Sequence, residues 1–164
     1  MLSRSRAFFL IAALSLFILS IKAKAEIKTF KKQSLHTIET SYTGKPFLLL
    51  VWSIDCLPCR QELAMISEIK TDYPKLNFST LATESPEQFD QLQSVLEKYH
   101  LLEQDNWGFE HTNSARLRFE LDPSWYGELP RAYFYDSKHK RHAVSGKLQK
   151  SQIINWLSKV SQQH

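Results

Sequence analysis

The sequence predicts one α/β domain in which helices flank a central mixed sheet. Three observations support this fold class: an unbroken apolar run over residues 47–52, helix-period patterns that alternate with further short apolar runs, and a polar turn between two late strand-like segments. Alternating strands and helices predict parallel pairing through βαβ crossovers, and the late hairpin adds antiparallel strands. The 164 residues are enough for one domain with a full core.

The first half of the chain contains two predicted strands with a helix between them. Residues 26–43 are a polar lead-in that can hold a short strand or a hairpin. The run 47–52 is too short for a helix and suits a strand that is buried on both faces. Apolar residues at helical spacing then predict a helix up to about Asp72, which Tyr73-Pro74-Lys75 ends. Residues 76–82 are predicted to form the second strand.

A second helix is predicted to begin with a strong N-terminal signal. Ser85 can cap it, Pro86 stands at the first helical position, and Gln88 completes a capping box. Apolar residues then mark one face of this helix as far as Tyr99. Residues 106–111 are predicted to hold a short strand.

The last third of the chain is predicted to contain a hairpin and a closing helix. Residues 115–121 are ambiguous, because their strict alternation favours a strand while their i, i+4 apolar pairs also fit a helix. Residues 131–135 predict a strand, 136–141 a polar turn, and 142–144 the returning strand. Residues 151–160 have the apolar spacing of a helix.

Residues 1–25 have the composition of a secretory signal peptide. Two arginines near the start precede a mostly apolar run over residues 7–21, and Ala-Lys-Ala at residues 23–25 matches a cleavage pattern. The run is shorter than the ~20 residues of a membrane-spanning helix, which favours cleavage over an uncleaved membrane anchor. We therefore expect residues 26–164 to form the mature domain in the periplasm or another extracytoplasmic compartment, where disulfides persist.

The charge balance argues against nucleic-acid binding. The formal net charge of +4 depends on the first 25 residues, which carry four of the 21 basic residues and no acid. The rest of the chain has 17 basic residues (21 minus 4) against 17 acidic ones. A domain without net positive charge has no electrostatic attraction for nucleic acid.

The only two cysteines, Cys56 and Cys59, stand three positions apart between the first predicted strand and helix. Cys56 is expected at the helix N-terminus, where unpaired N–H groups and the helix dipole favour a thiolate. Cys56 is thus the predicted attacking thiol and Cys59 the resolving one. Pro58 stiffens the first helical turn. A purely structural disulfide between them would close a very short loop and would stabilise the fold little. A zinc site needs four ligands, and the chain has no second pair of cysteines.

Asp55, directly before Cys56, permits two interpretations. A carboxylate beside a thiol disfavours the thiolate, which would make the couple more reducing. Alternatively, Asp55 points to solvent or caps the helix, since aspartate is a preferred N-cap residue.

The sequence resembles the exported TlpA/ResA-type thiol-disulfide reductases of the thioredoxin superfamily over about residues 44–157. The matching positions are Gly44-Lys45-Pro46, Trp52, Cys56-x-Pro58-Cys59-Arg60, Glu62, Glu84-Ser85-Pro86-Glu87, Gly127-Glu128-Leu129-Pro130, Asp136 and Gly146. The resemblance implies a thioredoxin-like fold with the CxxC pair at the start of the first main helix.

The resemblance also implies roles for residues around the pair. Cys56 and Cys59 would be the redox couple, and Pro130 would be a cis-proline lying against it. The backbone of Leu129 would offer strand-like hydrogen bonds to a bound substrate chain. Trp52 would lie beside the site, although an ordinary core aromatic residue is an equally good interpretation of a single tryptophan.

Four positions depart from the pattern of these families. Asp55 replaces a frequent tryptophan, Leu57 is apolar where some relatives carry a carboxylate, and Leu129 is apolar where reductases often have a polar residue. Leu50 occupies the place where thioredoxins proper keep a buried acid. We therefore expect the usual proton-handling carboxylate to be missing, with Asp55 as a hypothetical substitute.

The predicted function is that of an exported thiol-disulfide oxidoreductase that reduces protein disulfides. The resemblance implies a membrane electron donor that recharges the pair. We expect a monomer that needs no cofactor or metal, with protein thiols and disulfides as substrates. A disulfide oxidase or isomerase is the alternative within enzymes.

A copper chaperone that binds the metal with Cys56, Cys59 and His111 is the alternative outside enzymes, because thiolates and imidazole suit copper. The CxxC spacing is one residue shorter than copper chaperones of this fold usually have. The basic hairpin tip at residues 138–142 could meet an acidic partner, but we expect a solvated turn there.

Overall fold

A computed structural model describes residues 26–111 and 114–162. Its centre is a six-stranded sheet in the order β1-β4-β3-β2-β5-β6. Strands β1, β4, β3 and β2 run parallel to one another, whereas β5 is antiparallel to β2 and β6 is antiparallel to β5. The strands are β1 (Lys28–Phe30), β2 (Phe47–Trp52), β3 (Phe78–Ala82), β4 (Asp105–Phe109), β5 (Arg131–Tyr135) and β6 (Arg141–Ser145).

Five helices connect these strands and end the described chain. They are α1 (Ser34–Ser41), α2 (Leu57–Asp72), α3 (Phe89–Lys98), α4 (Ser114–Leu121) and α5 (Lys150–Ser161). A 3₁₀ turn, Pro86–Gln88, leads into α3. This is the mixed sheet flanked by helices that the sequence predicted, with a helix beginning at the CxxC pair.

Strand β2 separates two apolar cores, because all six of its side chains are buried and successive residues point to opposite faces. Leu48, Leu50 and Trp52 belong to the core that also contains Cys59. Phe47 and its alternate neighbours belong to the core on the other face. Burying each such side chain contributes roughly 1.5–3 kcal/mol, so β2 is a rigid support for the turn that follows it.

The structure corrects two local predictions and decides a third segment that the sequence left open. The lead-in contains β1, as allowed, but also helix α1, which buries Ile38. The ambiguous segment 115–121 is helical, because Leu117 and the residue four positions later are both buried, which leaves Phe119 65% exposed. The capping box at Ser85 is wrong, because the first turn is 3₁₀ and the Ser85 hydroxyl donates to Glu87 instead.

The predicted signal peptide, residues 1–25, lies outside the described residues. Over residues 26–111 and 114–162, no helix has both the length and the apolar character needed to cross a bilayer.

A buried ion pair joins the loop after α4 to strand β5. Arg131 donates to Asp122 Oδ2 at 2.8 Å, and the Tyr133 hydroxyl donates to the same oxygen at 3.1 Å. Burial opposes the ionisation of Asp122, but hydrogen bonds from Ser124 and Arg131 outweigh it and lower the pKa of Asp122 to about 2. The pair ties down the start of the segment that leads to Pro130.

We expect Asp122→Ala to lower the free energy of unfolding by about 3 kcal/mol, because it leaves the Arg131 charge buried without its main partner. This is the low end of the range for breaking a buried pair, since Arg131 keeps a 3.3 Å contact with Glu128. Asp72→Ala is the matched control, because Asp72 pairs with Lys150 at the surface and should change stability by less than about 1 kcal/mol. Urea unfolding measures both, and equal losses would contradict the assignment.

Candidate active site

The two cysteines form a disulfide at the junction of β2 and α2, with 5.2 Å between their Cα atoms. Cys56 is the N-cap residue of α2, and its sulfur accepts the peptide N–H of Cys59 at 3.2 Å. Pro58 lies in the first turn of the helix, where its missing N–H costs little. The Cys56 sulfur therefore already occupies the position in which a helix N-terminus stabilises negative charge.

The two sulfurs differ in their access to solvent. Cys59 is fully buried in the core that contains Leu48, Leu50 and Trp52, whereas Cys56 is only partly buried. Leu57 and Pro58, between them, are exposed. A second protein can thus reach Cys56 more readily than Cys59.

Asp55 is exposed and does not cap the helix, because Cys56 is the N-cap residue. Its peptide N–H donates to the Ser53 hydroxyl at 3.3 Å. The capping interpretation of Asp55 is therefore wrong, since the turn after β2 extends one residue further than that interpretation requires. Its carboxylate stands at the surface beside the residue that carries the accessible sulfur.

Pro130 follows a cis peptide bond with Leu129 and is buried. The next residue, Arg131, pairs with Val51 in the antiparallel β2–β5 ladder, so Pro130 lies level with Trp52 at the end of β2. Leu129 is partly exposed. Trp52 is 1% exposed and packs in the same core as Cys59. These residues surround the end of β2 from which the CxxC turn departs.

Glu62 is a buried carboxylic acid that the sequence analysis assigned no role. It is 2% exposed and stands three residues after Cys59 on α2, so the two side chains share a helix face. Burial raises its pKa to about 7, against a hydrogen bond from the Leu148 N–H and the charge of Lys147. The position of Leu50 holds no acid, as the sequence indicated, but Glu62 places a buried carboxyl group on the helix face of Cys59. The sequence of an amphipathic helix does not show whether a given acid is solvated. That depends on whether another segment covers it, as the segment containing Leu148 covers Glu62.

Glu84 is a second buried acid that received no role. It lies in the loop after β3 and is 8% exposed. Its Oε1 accepts the Ser53 hydroxyl and the Ile54 N–H, each at 2.7 Å. Glu84 therefore contacts the turn between β2 and the cysteines directly. The sequence showed only an acid before a helix start, and no local pattern indicates which loop it faces.

The Nδ1 atom of His111 contacts Glu87 Oε1 at the surface. In the part of the chain that the structure describes, no three His, Cys, Asp or Glu side chains are grouped closely enough to hold a metal ion. The structure therefore does not bring His111 together with the cysteines. At the hairpin tip, His139 is not merely solvated, because its Nε2 lies 3.1 Å from the Tyr42 carbonyl oxygen and its ring packs edge-on against Phe47.

Comparison with known proteins identifies similar structures but no similar sequences. No protein-family model matches the chain, and no curated protein matches it. A secreted Mycobacterium tuberculosis disulfide oxidoreductase homologous to E. coli DsbE is 20% identical, with 73% of this chain and 85% of that chain covered and a TM-score of 0.59.

Two further solved structures agree with the first. StoA from Bacillus subtilis is 17% identical, with 70% of this chain and 84% of that chain covered and a TM-score of 0.52. A thioredoxin-family thiol:disulfide interchange protein from Chlorobium tepidum is 15% identical, with 74% and 83% covered and a TM-score of 0.59. The chain therefore has the thioredoxin-like fold that the sequence predicted.

Proposed function

We propose that this protein is a thiol-disulfide oxidoreductase whose Cys56–Cys59 pair exchanges with a disulfide of another protein. One observation carries the proposal: the pair is a disulfide at a helix N-terminus, with one sulfur accessible and the other fully buried. A staple closing so short a loop would stabilise the fold little. The solved structures with the same fold include a disulfide oxidoreductase and a thiol:disulfide interchange protein.

Reduction of a client begins at Cys56. Its thiolate attacks one sulfur of the client disulfide, the client S–S bond breaks, and the departing client thiolate takes up a proton. Cys59 then loses its proton and attacks the Cys56 sulfur, which breaks the mixed disulfide and releases the second client thiol. Two electrons have passed to the client, and the Cys56–Cys59 disulfide remains.

Glu62 is the group that we assign to the proton of Cys59. It shares the buried face of α2 with Cys59, and burial raises its pKa to about 7, so it can both accept and return a proton near neutral pH. Cys59 has no access to solvent, so a buried acceptor is needed. Glu62 would thus supply the proton transfer that Leu50 cannot.

Residues around the pair would guide the client chain. Leu129 and Pro130 stand beside the end of β2, where the backbone of Leu129 can pair with an extended segment of the client. Trp52 and Pro58 support the pair from the core and from the helix. Asp55 would place a negative charge near Cys56, which disfavours its thiolate and favours a reducing couple.

We further propose that the protein works outside the cytoplasm as a monomeric reductant. Residues 1–25 have the composition of an export signal, and the similar protein from M. tuberculosis is described as secreted. An exported reductant must receive electrons, and a membrane donor is the expected source.

The reduction potential of the pair decides between reductant and oxidant. Equilibration with glutathione or dithiothreitol buffers should give about −270 mV or lower, the range of a reductase. A value nearer about −120 mV would assign an oxidant instead and would contradict the role given to Asp55. A pair that never forms a disulfide under mild oxidation would overturn the proposed function.

Trapping experiments test the order of attack. We expect Cys59→Ser to accumulate a mixed disulfide with a peptide disulfide through Cys56, because the resolving thiol is absent. Cys56→Ser should trap far less, since Cys59 is buried. Non-reducing gels and mass spectrometry measure both adducts. Equal trapping by the two variants would refute the assignment of Cys56 as the attacking thiol.

The stability of the oxidised protein should depend on the pH through Glu62. Its pKa is about 7 in the folded state against 4.5 unfolded, so the folded state binds more protons between these values. The free energy of unfolding should therefore fall by about 3 kcal/mol as the pH rises from 4.5 through 7.

Glu62→Gln should remove most of this pH dependence, which urea unfolding across the pH range measures. Glu68→Gln, an exposed position on the same helix, is the control and should keep it. A slope that persists in Glu62→Gln would show that another group titrates.

A further inference from the structure

Glu84, from the loop after β3, hydrogen-bonds to the turn between β2 and the cysteines. Glu84 Oε1 accepts two hydrogen bonds at 2.7 Å, from the Ser53 hydroxyl and from the Ile54 N–H. The Ser53 hydroxyl also accepts the Asp55 N–H at 3.3 Å, and the Ser53 carbonyl accepts the Cys56 N–H at 3.2 Å. Every residue of the turn is thus linked to this carboxylate directly or through Ser53.

Both hydrogen bonds to Glu84 reach the same oxygen atom. Its second oxygen, Oε2, is buried and has no hydrogen-bond partner among residues 26–111 and 114–162. The ion pairs found in this described part of the chain do not include Glu84. A buried carboxylate oxygen without a hydrogen bond is destabilising, so its place in the fold calls for an explanation.

We infer that Glu84 is a positioning residue for Cys56. Glu84 holds the turn that presents the Cys56 sulfur, and its negative charge disfavours the thiolate form of that sulfur. The inference rests on the proposed function, since it concerns the same thiol. Two N–H or O–H donors on one oxygen hold the turn at a defined distance from β3. An amide could accept the same two bonds, so the distinctive contribution of a carboxylate is its negative charge.

The charge has a definite direction of effect on the couple. A negative group near Cys56 opposes the thiolate and so destabilises the reduced form relative to the disulfide. A less stable reduced form makes a stronger reductant. Glu84 therefore acts in the same direction as Asp55, but from the buried side of the turn, where solvent and salt screen it less.

Glu84→Gln separates the charge from the hydrogen bonds. In a Cys59→Ser background, the midpoint of the pH profile for iodoacetamide alkylation of Cys56 should fall by about half to one unit, less than charges in direct contact produce. With both cysteines present, the equilibrium constant with glutathione should shift towards the reduced form by up to about tenfold, which corresponds to about 30 mV.

Ser53→Ala is a second test that does not depend on whether Glu84→Gln folds. It should shift the pH midpoint of Cys56 alkylation by less than Glu84→Gln does. The carboxylate keeps its charge and loses one of the two donors that offset it, so the alkylation midpoint should move upward. Glu87→Gln is the matched control, because it removes an exposed charge three residues away that pairs with His111. It should leave both measurements unchanged.

The outcomes distinguish this inference from the proposed function. If Glu84→Gln and Ser53→Ala both give the alkylation profile of the Cys59→Ser parent, Glu84 is only a structural anchor and the inference is overturned, even when the wild-type pair exchanges with glutathione. If the wild-type pair does not exchange with glutathione at all, the proposed function fails, while the alkylation profiles still decide whether Glu84 controls the thiol.

Discussion

The hydrogen bond from the Cys59 N–H to the Cys56 sulfur is the interaction on which the rest of the site depends. It makes a sulfur atom the cap of helix α2, so the helix N-terminus and the reactive atom share one position. The cap can stand there because β2, buried on both faces, ends four residues earlier and fixes where the turn begins. Accessibility differs because Cys59 lies inside the helix and faces the core, whereas Cys56 stands at the helix end and is only partly buried.

Two buried acids lie on different sides of this cap. Glu62 approaches from within α2 and meets the Leu148 N–H, whereas Glu84 comes from the loop after β3 and holds the turn. Burial raises the pKa of Glu62, so it can exchange a proton near neutral pH. Glu84, by contrast, is tied through one oxygen to two donors of the turn. One acid would serve the resolving thiol, and the other would set the reactivity of the attacking one.

Patterns that rest on one element were predicted well, and those that depend on contacts between elements were not. Strand β2 and the long helix after it follow from an unbroken apolar run and from helical spacing. The segment 115–121 was undecided, because both periodicities were present and only packing against the second core favours the helix. The Ser85 cap failed because its hydroxyl bonds a neighbouring carboxylate instead of the helix backbone.

The sequence by itself determined the fold class and placed the two cysteines at a helix start, because these depend on spacing along the chain and on runs of apolar residues, and the family resemblance singled out the proline. Only the tertiary structure decided which carboxylates are buried near the cysteines or bonded to the turn before them. Glu62 becomes a buried acid when the segment before α5 covers it, and Glu84 reaches the cysteine turn because β2 and β3 are neighbours in the sheet. Burial and proximity are properties of the packed chain, so the motif positions of Glu62 and Glu84 did not indicate which part of the site each acid contacts.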